Sequence, residues 1–291
     1  MLIREPIVAG QFYPADGDEC RTQLSECLRP GPITIDADAR LVGGLVPHAG
    51  WSYSGAVAGK VFAALASLRS PKVVILFGGV HRFRGRQAAM FGNGRWETPI
   101  GSVTVDERLS ERILGHTNLI ISDPYAHEQE HSIEVQVPFV KQVFPEAKIV
   151  PIMVPPVNTA DEVGEAVGRT LRAYEYDALI VGTTDLTHYG PRYGFAPQGI
   201  GAEGIQWAKA ENDTRFIDLV CSMKMRRLVI EAEERKNACS SGAAAATLAA
   251  ATALGARRGV LLEHTSSAEV MARRMQAGTT DSVGYAGVVF E

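Results

Sequence analysis

Three histidines follow strand-like runs of apolar residues, each after a short turn. The runs cover residues 41–46, 73–77 and 178–181, and they lead to His48, His81 and His188. Buried parallel strands read as short continuous apolar runs, and their carboxyl ends meet at one edge of a sheet, where ligands bind. Imidazole is the commonest protein ligand of transition metals. The pattern therefore predicts that these histidines form a metal-binding or catalytic site at that edge.

An acid and a thiol extend this candidate site. Asp185 lies three residues before His188, a spacing that allows both to bind a metal, to form a proton relay, or to let the Asp orient the imidazole. The structural alternative is that Asp185 caps a short helical turn. Cys239 stands before an alanine-rich stretch, and the start of a helix there favours the thiolate that a metal needs. The structural alternative for Cys239 is a small buried residue, the commonest fate of an isolated cysteine.

Residues 127–131 match the zinc-protease pattern His-Glu-x-x-His. In those enzymes both histidines lie on one face of a helix and the Glu is the general base. Here a nearby upstream proline places the pattern in a loop or a first helical turn, and so short a pattern matches many unrelated proteins. We therefore expect acid–base or supporting roles for His131 and Glu134, with His127 and Glu128 more exposed.

The composition is that of a globular protein without a strongly charged surface. Its 291 residues are 46% hydrophobic and 21% charged, and the formal net charge is −4. This charge argues against nucleic acid or an anionic membrane as a partner, and no apolar run approaches the ~20 residues that cross a bilayer. The N-terminal segment lacks the apolar region of a signal peptide, and the cysteines form no Cys-x-x-Cys pair. We expect a cytoplasmic, reduced protein.

The order of apolar and helical patterns predicts an α/β fold. Strand-like runs cover residues 41–46, 73–77, 148–154, 178–181, 258–262 and 283–290, and helix-like stretches cover 54–67, 128–144, 160–174 and 241–254. This alternation is typical of a mostly parallel central sheet with helices on both faces. No linker or repeat divides the chain, so we predict a single domain over residues 1–291, with 190–204 as a functional loop. The small residues of 241–254 suit tight packing against the sheet or against a partner.

Several short patterns, in order along nearly the whole chain, resemble those of the Memo family. They lie at residues 6–14, 47–55, 78–81, 130–134, 184–190 and 283–285, and at Cys239. The resemblance implies an α/β fold like that of the class III, extradiol-type non-haem iron dioxygenases. It also implies iron or copper binding with redox chemistry, or phosphopeptide binding in signalling. Bacterial members carry the label AmmeMemoRadiSam system protein B, which implies association with a radical SAM protein.

The resemblance also implies roles for individual residues. It places the metal ligands at His48, His81 and Cys239, with Asp185 and His188 beside them and His131 in the same pocket. Fe(II) is the expected ion, with copper or zinc as alternatives, since sulfur favours softer ions. His131 and His188 would move protons, and Asp185 would orient His188 or act as an extra ligand. Dioxygenases of this fold usually have a carboxylate where this chain has Cys239.

Three functions are consistent with these residues. The first is a redox or dioxygenase-type enzyme acting on an unknown small molecule. The second is a non-catalytic module that binds a peptide or a partner protein in the same pocket, which Cys239 favours because dioxygen readily oxidises thiolates. The third is a zinc hydrolase that uses His131 and Glu134.

Overall fold

The central strands are apolar throughout because both of their faces are covered. In the computed structural model, alternate side chains of one strand, residues 73–78, enter two different hydrophobic cores. Ile75 and Phe77 lie in one core, whereas Val74 and Leu76 lie in the other. Such a continuous apolar run is what a buried strand of an α/β sheet requires.

The structure describes residues 2–29, 39–82, 85–275 and 278–291. The strands are β1 (Ile3–Arg4), β2 (Gly43–Val46), β3 (Val73–Gly78), β4 (Ala88–Met90), β5 (Arg95–Trp96), β6 (Val103–Thr104), β7 (Ile120–Ser122), β8 (Lys148–Met153), β9 (Ala178–Thr183), β10 (His188–Tyr189), β11 (Gly259–Ser266) and β12 (Ser282–Phe290). The helices are α1 (Gly17–Cys27), α2 (Trp51–Leu68), α3 (Glu107–His116), α4 (Val137–Val143), α5 (Ala160–Ala173), α6 (Ala202–Trp207), α7 (Thr214–Cys221), α8 (Met225–Arg235), α9 (Ser241–Ala253) and α10 (Ser267–Met275). A π-helical segment, Ala208–Asp213, joins α6 to α7.

One large sheet carries the fold, in the order β10-β12-β2-β9-β3-β8-β4-β7, and β11 also pairs with β12. The central strands β2, β9, β3 and β8 are parallel, whereas β12 runs antiparallel to β2 and β4 antiparallel to β8. Strands β1, β5 and β6 form a separate small sheet. The predicted α/β fold is confirmed, with the parallel strands at the centre and antiparallel pairs joining them to outer strands.

The alanine-rich helix α9 packs within its own chain. A Cβ at Gly164 of α5 would lie 1.9 Å from the carbonyl oxygen of Ala246, so the two helices are in backbone contact. A Cβ at Gly182 of β9 would lie 1.8 Å from Thr247 Oγ1, which shows an equally close approach to the sheet. Contacts inside the chain therefore account for the small residues of 241–254.

The helix predicted over residues 128–144 is wrong in its first half. Residues 128–133 form turns and irregular backbone beside the site, and the regular helix α4 begins only at Val137. Pro138 lies in the first turn of α4, where a missing N–H costs no intrahelical hydrogen bond. The proline therefore marks the start of the helix rather than a kink within it.

No helix in the described part of the chain combines the length and the apolar composition needed to span a bilayer. Even α2, with its 18 residues, carries Lys60 in an ion pair with Glu263 at 2.5 Å. The cytoplasmic location stays a prediction.

Candidate metal centre

The predicted site residues meet at the carboxyl ends of the parallel strands. His48 follows β2, His81 follows β3, and residues 184–188 follow β9. A cavity of about 570 Å³, called the main cavity below, opens there. Its walls include His48, His81, His131, Asp185 and His188. Five of the six predicted site residues thus line one cavity, and Cys239 lies beside it.

Three imidazoles form the centre of this site. The ligand nitrogens of His48, His81 and His131 lie within 4.8 Å of one another. The ring centroids are 5.1 Å apart for His48 and His81, and 4.7 Å apart for His81 and His131. Burial and the positive charges of His48 and His81 lower the pKa of His131 to about 4, so this imidazole is neutral at pH 7. The structure places His131, predicted to move protons, as close to the centre as the two predicted ligands.

The thiol of Cys239 reaches the cluster from the start of helix α9. Its Sγ lies 3.2 Å from His48 Nε2, and the backbone N–H of Asp185 donates to it at 3.3 Å. Burial alone raises the pKa of this thiol, but the charge of His48 and contacts with the imidazoles of His188 and His81 lower it well below its usual range. These contacts therefore favour the thiolate form of Cys239, which is the form that binds metals.

A buried carboxylate that the sequence analysis did not select holds two of the histidines. Glu130 is 2% exposed and accepts backbone hydrogen bonds from His81, His131 and Ser132 at 2.8, 3.0 and 2.8 Å. Its Oε1 also accepts a hydrogen bond from His81 Nδ1 at 2.9 Å, which leaves His81 Nε2 available for a metal. Carboxylates of this kind fix the tautomer and orientation of metal-binding histidines. The acid directly before His131 was visible in the sequence, but its pairing with His81 was not.

His48 is held by the end of strand β9 and by the turn that follows it. Its Nδ1 lies 2.9 Å from Thr183 Oγ1, and its backbone N–H donates to Asp185 Oδ1 at 2.8 Å. Burial raises the pKa of Asp185 even though the positive charge of His48 is close by. The Asp185 carboxylate thus accepts a hydrogen bond from the His48 turn, and its role in orienting His188 or as an extra metal ligand stays a prediction.

His188 stands in the wall of the main cavity. Its backbone pairs with Val283 of β12, and its ring packs edge-on against Tyr193 with centroids 5.0 Å apart. Within the described residues, its buried Nε2 has no hydrogen-bond partner. Burial alone lowers the pKa of His188, but contacts with Cys239 and the charge of Asp185 raise it. Its role in proton transfer stays a prediction.

The Memo-like protein family model matches residues 4–289 of the chain. This protein belongs to the Memo family. A MEMO1 family protein of Methanopyrus kandleri is 35% identical to it, over 99% of this chain and 98% of that protein. A MEMO1 family protein of Nitrosopumilus maritimus is 33% identical, over 99% of this chain and 100% of its own length. One of Pyrobaculum aerophilum is 32% identical over 100% of this chain and 99% of its own. The resemblance seen in the sequence is therefore confirmed.

The fold of this Memo family protein is also similar to that of an uncharacterized protein from Escherichia coli K12. The two superimpose with a TM-score of 0.51 and 10% sequence identity. The match covers 87% of this chain and 100% of the other. At that identity the similarity shows a common fold and nothing about function.

The His-Glu-x-x-His pattern of this Memo family protein does not bring its histidines together. His127 is fully buried, so its predicted exposure is wrong, and its Nε2 donates to the carbonyl of Ala89 at 3.0 Å. Its ring packs edge-on against Trp96, with centroids 5.7 Å apart. Only His131 of the pattern lines the main cavity, and Glu128 is exposed as predicted.

We expect His127 to reduce the stability of the protein as the pH falls below about 6.5. Burial lowers the pKa of His127 to about 3 from its ordinary value of 6.5. Between these values the unfolded chain binds a proton that the folded chain does not, so unfolding becomes easier by about 1.4 kcal/mol per pH unit. Urea unfolding of metal-free protein at several pH values between about 6.5 and 4.5 should show a shallower loss of stability in His127→Phe than in wild type. Equal slopes for the two proteins would contradict this assignment.

Glu134 anchors the N-terminal segment and does not face the main cavity. Its buried carboxylate accepts hydrogen bonds from the backbone N–H groups of Ile7 and Val8 and from the hydroxyl of Tyr13. It also forms an ion pair with Arg4 at 3.0 Å. These contacts occupy its acceptor oxygens, so the supporting role of Glu134 is structural and the zinc-hydrolase interpretation loses its general base.

Proposed function

We propose that this Memo family protein holds one Fe(II) ion with His48, His81 and Cys239 and carries out redox chemistry of the dioxygenase type on a small molecule in the main cavity. The observation that carries the proposal is the convergence of imidazole nitrogens with a thiolate. The nitrogens of the histidine cluster lie within 4.8 Å of one another, and the Cys239 sulfur lies 3.2 Å from His48 Nε2. Copper and zinc are the alternative ions.

The donor atoms suit a transition metal. Thr183 engages Nδ1 of His48 and Glu130 engages Nδ1 of His81, so the Nε2 of each ring is available. Cys239 supplies an anionic sulfur. Two imidazoles and one anion leave open positions on an ion, as in non-haem Fe(II) oxygenases. When bound, iron would supply the electron exchange with dioxygen that no protein side chain provides.

The walls of the main cavity suit a small molecule with a flat ring. They include the aromatic side chains of Phe12, Tyr53, Tyr193 and Tyr285. A volume of about 570 Å³ is in the range of cavities that enclose one small organic ligand. Aromatic rings on several sides favour stacked or edge-on contacts with such a ring. We therefore propose a phenol or catechol as the class of substrate.

Two imidazoles in the wall of the main cavity would move protons of that substrate. His131 packs edge-on against Phe12, with ring centroids 5.0 Å apart, and so stands beside any molecule on this aromatic wall. His188 lies in the wall of the same cavity beside Tyr193. Imidazole is the side chain that most often exchanges protons near neutral pH.

Metal content tests the ligand set directly. Protein purified without oxygen or added metal should contain nearly one iron per chain, and His48→Ala, His81→Ala and Cys239→Ala should each lose it. His116→Ala is the matched control, because His116 is an exposed residue at the end of α3 that bonds to the Arg112 carbonyl. Iron that persists in all three site variants, or is absent from wild type even after addition of Fe(II), would overturn the proposal.

Oxygen consumption then separates an enzyme from a binding module. Iron-loaded wild type should consume dioxygen with at least one catechol or simple phenol, and His131→Gln should reduce the rate by about 10²–10⁴-fold while retaining iron. A protein that binds iron but consumes no oxygen with any such compound would favour the non-catalytic module, which binds a peptide or a partner protein. Association with a radical SAM protein stays a separate proposal from the family resemblance.

A further inference from the structure

A second cavity lies behind the wall of the main cavity. It has a volume of about 340 Å³ and is called the side cavity here. His188 and Tyr193 line both cavities, so these two side chains form the partition between them. The thiol-bearing residue Cys239 lines the side cavity, whereas the three clustered imidazoles line the main one.

The walls of the side cavity are largely apolar. They include Leu186, Phe195, Ala232 and Ala238. Leu186 is 2% exposed and belongs to the hydrophobic core, so this wall is firmly packed. Phe195 is held by backbone hydrogen bonds with Gly190, at 2.7 and 3.3 Å, which close the loop between them. A small molecule with a flat apolar body would find apolar contacts on these walls.

One cationic side chain stands at the edge of this apolar space. Lys236 lines the side cavity, and its Nζ lies 5.5 Å from the centre of the Phe195 ring. Its backbone is left-handed, with φ +53°, at the end of helix α8, a position that normally favours glycine or asparagine. A lysine is therefore not the residue that the backbone itself prefers here, and its side chain supplies a positive charge that neither glycine nor asparagine carries.

We propose that the side cavity binds a small organic carboxylate with a flat apolar body. The carboxylate would pair with Lys236, and the ring would lie against the apolar walls that include Phe195 and Leu186. The bound molecule would then stand next to Cys239 without entering the main cavity. This site goes beyond the proposed function and does not depend on a metal, so both can be tested separately.

Benzoate is the probe, and metal-free protein is the sample. Calorimetric titration should show that wild type binds benzoate and that Lys236→Asn binds it at least about tenfold more weakly, since a charge-assisted hydrogen bond is lost. Asparagine adopts the left-handed conformation more readily than lysine, so Lys236→Asn should unfold at the same urea concentration as wild type or a higher one. A loss of binding could then not be attributed to misfolding.

The matched control is Glu175→Asn. Glu175 also has a left-handed backbone, with φ +52°, beyond the end of α5, and it does not line the side cavity. Its replacement should leave the affinity for benzoate unchanged. Equal benzoate affinity in wild type and Lys236→Asn, or no binding by wild type, would overturn the proposal.

The reactivity of Cys239 locates the bound molecule. A benzoate concentration of about nine times the wild-type Kd should slow the alkylation of Cys239 by iodoacetamide about tenfold in wild type, and the same concentration should slow it about twofold or less in Lys236→Asn. Mass spectrometry of peptides distinguishes Cys239 from the other cysteines. Benzoate that binds without protecting Cys239 would place the ligand elsewhere and would also overturn the proposal.

Discussion

Replacing Glu134 with leucine is expected to lower the free energy of unfolding by about 3–5 kcal/mol. The change leaves Arg4, which is 4% exposed, as a buried charge without its partner carboxylate. It also removes the acceptor of the Tyr13 hydroxyl and of two backbone N–H groups. Urea or guanidinium unfolding of the metal-free protein, followed by circular dichroism, measures the effect.

An exposed ion pair provides the matched control for this variant. Glu165 pairs with Arg169 at 2.9 Å on α5, and their side chains are 50% and 67% exposed. Glu165→Leu makes the same chemical change and should cost less than about 1 kcal/mol. The double variant Arg4→Met with Glu134→Leu should regain part of the lost stability, because the unpaired charge is gone. Similar unfolding midpoints for Glu134→Leu and Glu165→Leu would show that the buried pair does not anchor the N-terminal segment.

Glu130→Gln is expected to weaken metal binding by about 10–100-fold. The carboxylate of Glu130 accepts hydrogen bonds from His81 Nδ1 and from three backbone N–H groups, and an amide cannot accept at its NH₂ group. The orientation and tautomer of His81 should therefore be less well defined. Anaerobic titration with Fe(II) against a competing chelator gives the affinity, and Co(II) provides a spectroscopic probe of the ligands.

The control for this variant is Glu128→Gln, which alters an exposed acid nearby in the sequence. It should leave the affinity for Fe(II) and Co(II) unchanged. Nitrogen NMR of metal-free protein should show a mixture of His81 tautomers in Glu130→Gln and one tautomer in wild type, a change that general destabilisation does not produce. Unaltered metal affinity in Glu130→Gln would mean that this carboxylate supports the fold alone.

Much of the fold followed from local patterns in the sequence. Continuous apolar runs predicted β2, β3, β8 and β9, the central parallel strands, because a strand covered on both faces has no polar position to alternate with. The same runs placed His48 and His81 at one sheet edge, since parallel strands end on the same side. Residues 128–133 were misassigned because Ile133 continues the apolar spacing of Val137 and Val140 in α4, whereas the backbone that leads to Ile133 forms turns.

Local patterns of residues set which chemical groups stand at the ends of the central strands. The tertiary structure decided which of them meet, because a buried polar group takes its partner from whatever the packed chain brings near it. Glu130 lies 49 residues from His81 in the chain, and Cys239 lies 191 residues from His48, so no local pattern could pair them. His127 and His131 show the same principle at short range. One is buried against Trp96 and the other faces the main cavity, because the backbone between them turns instead of forming a helix.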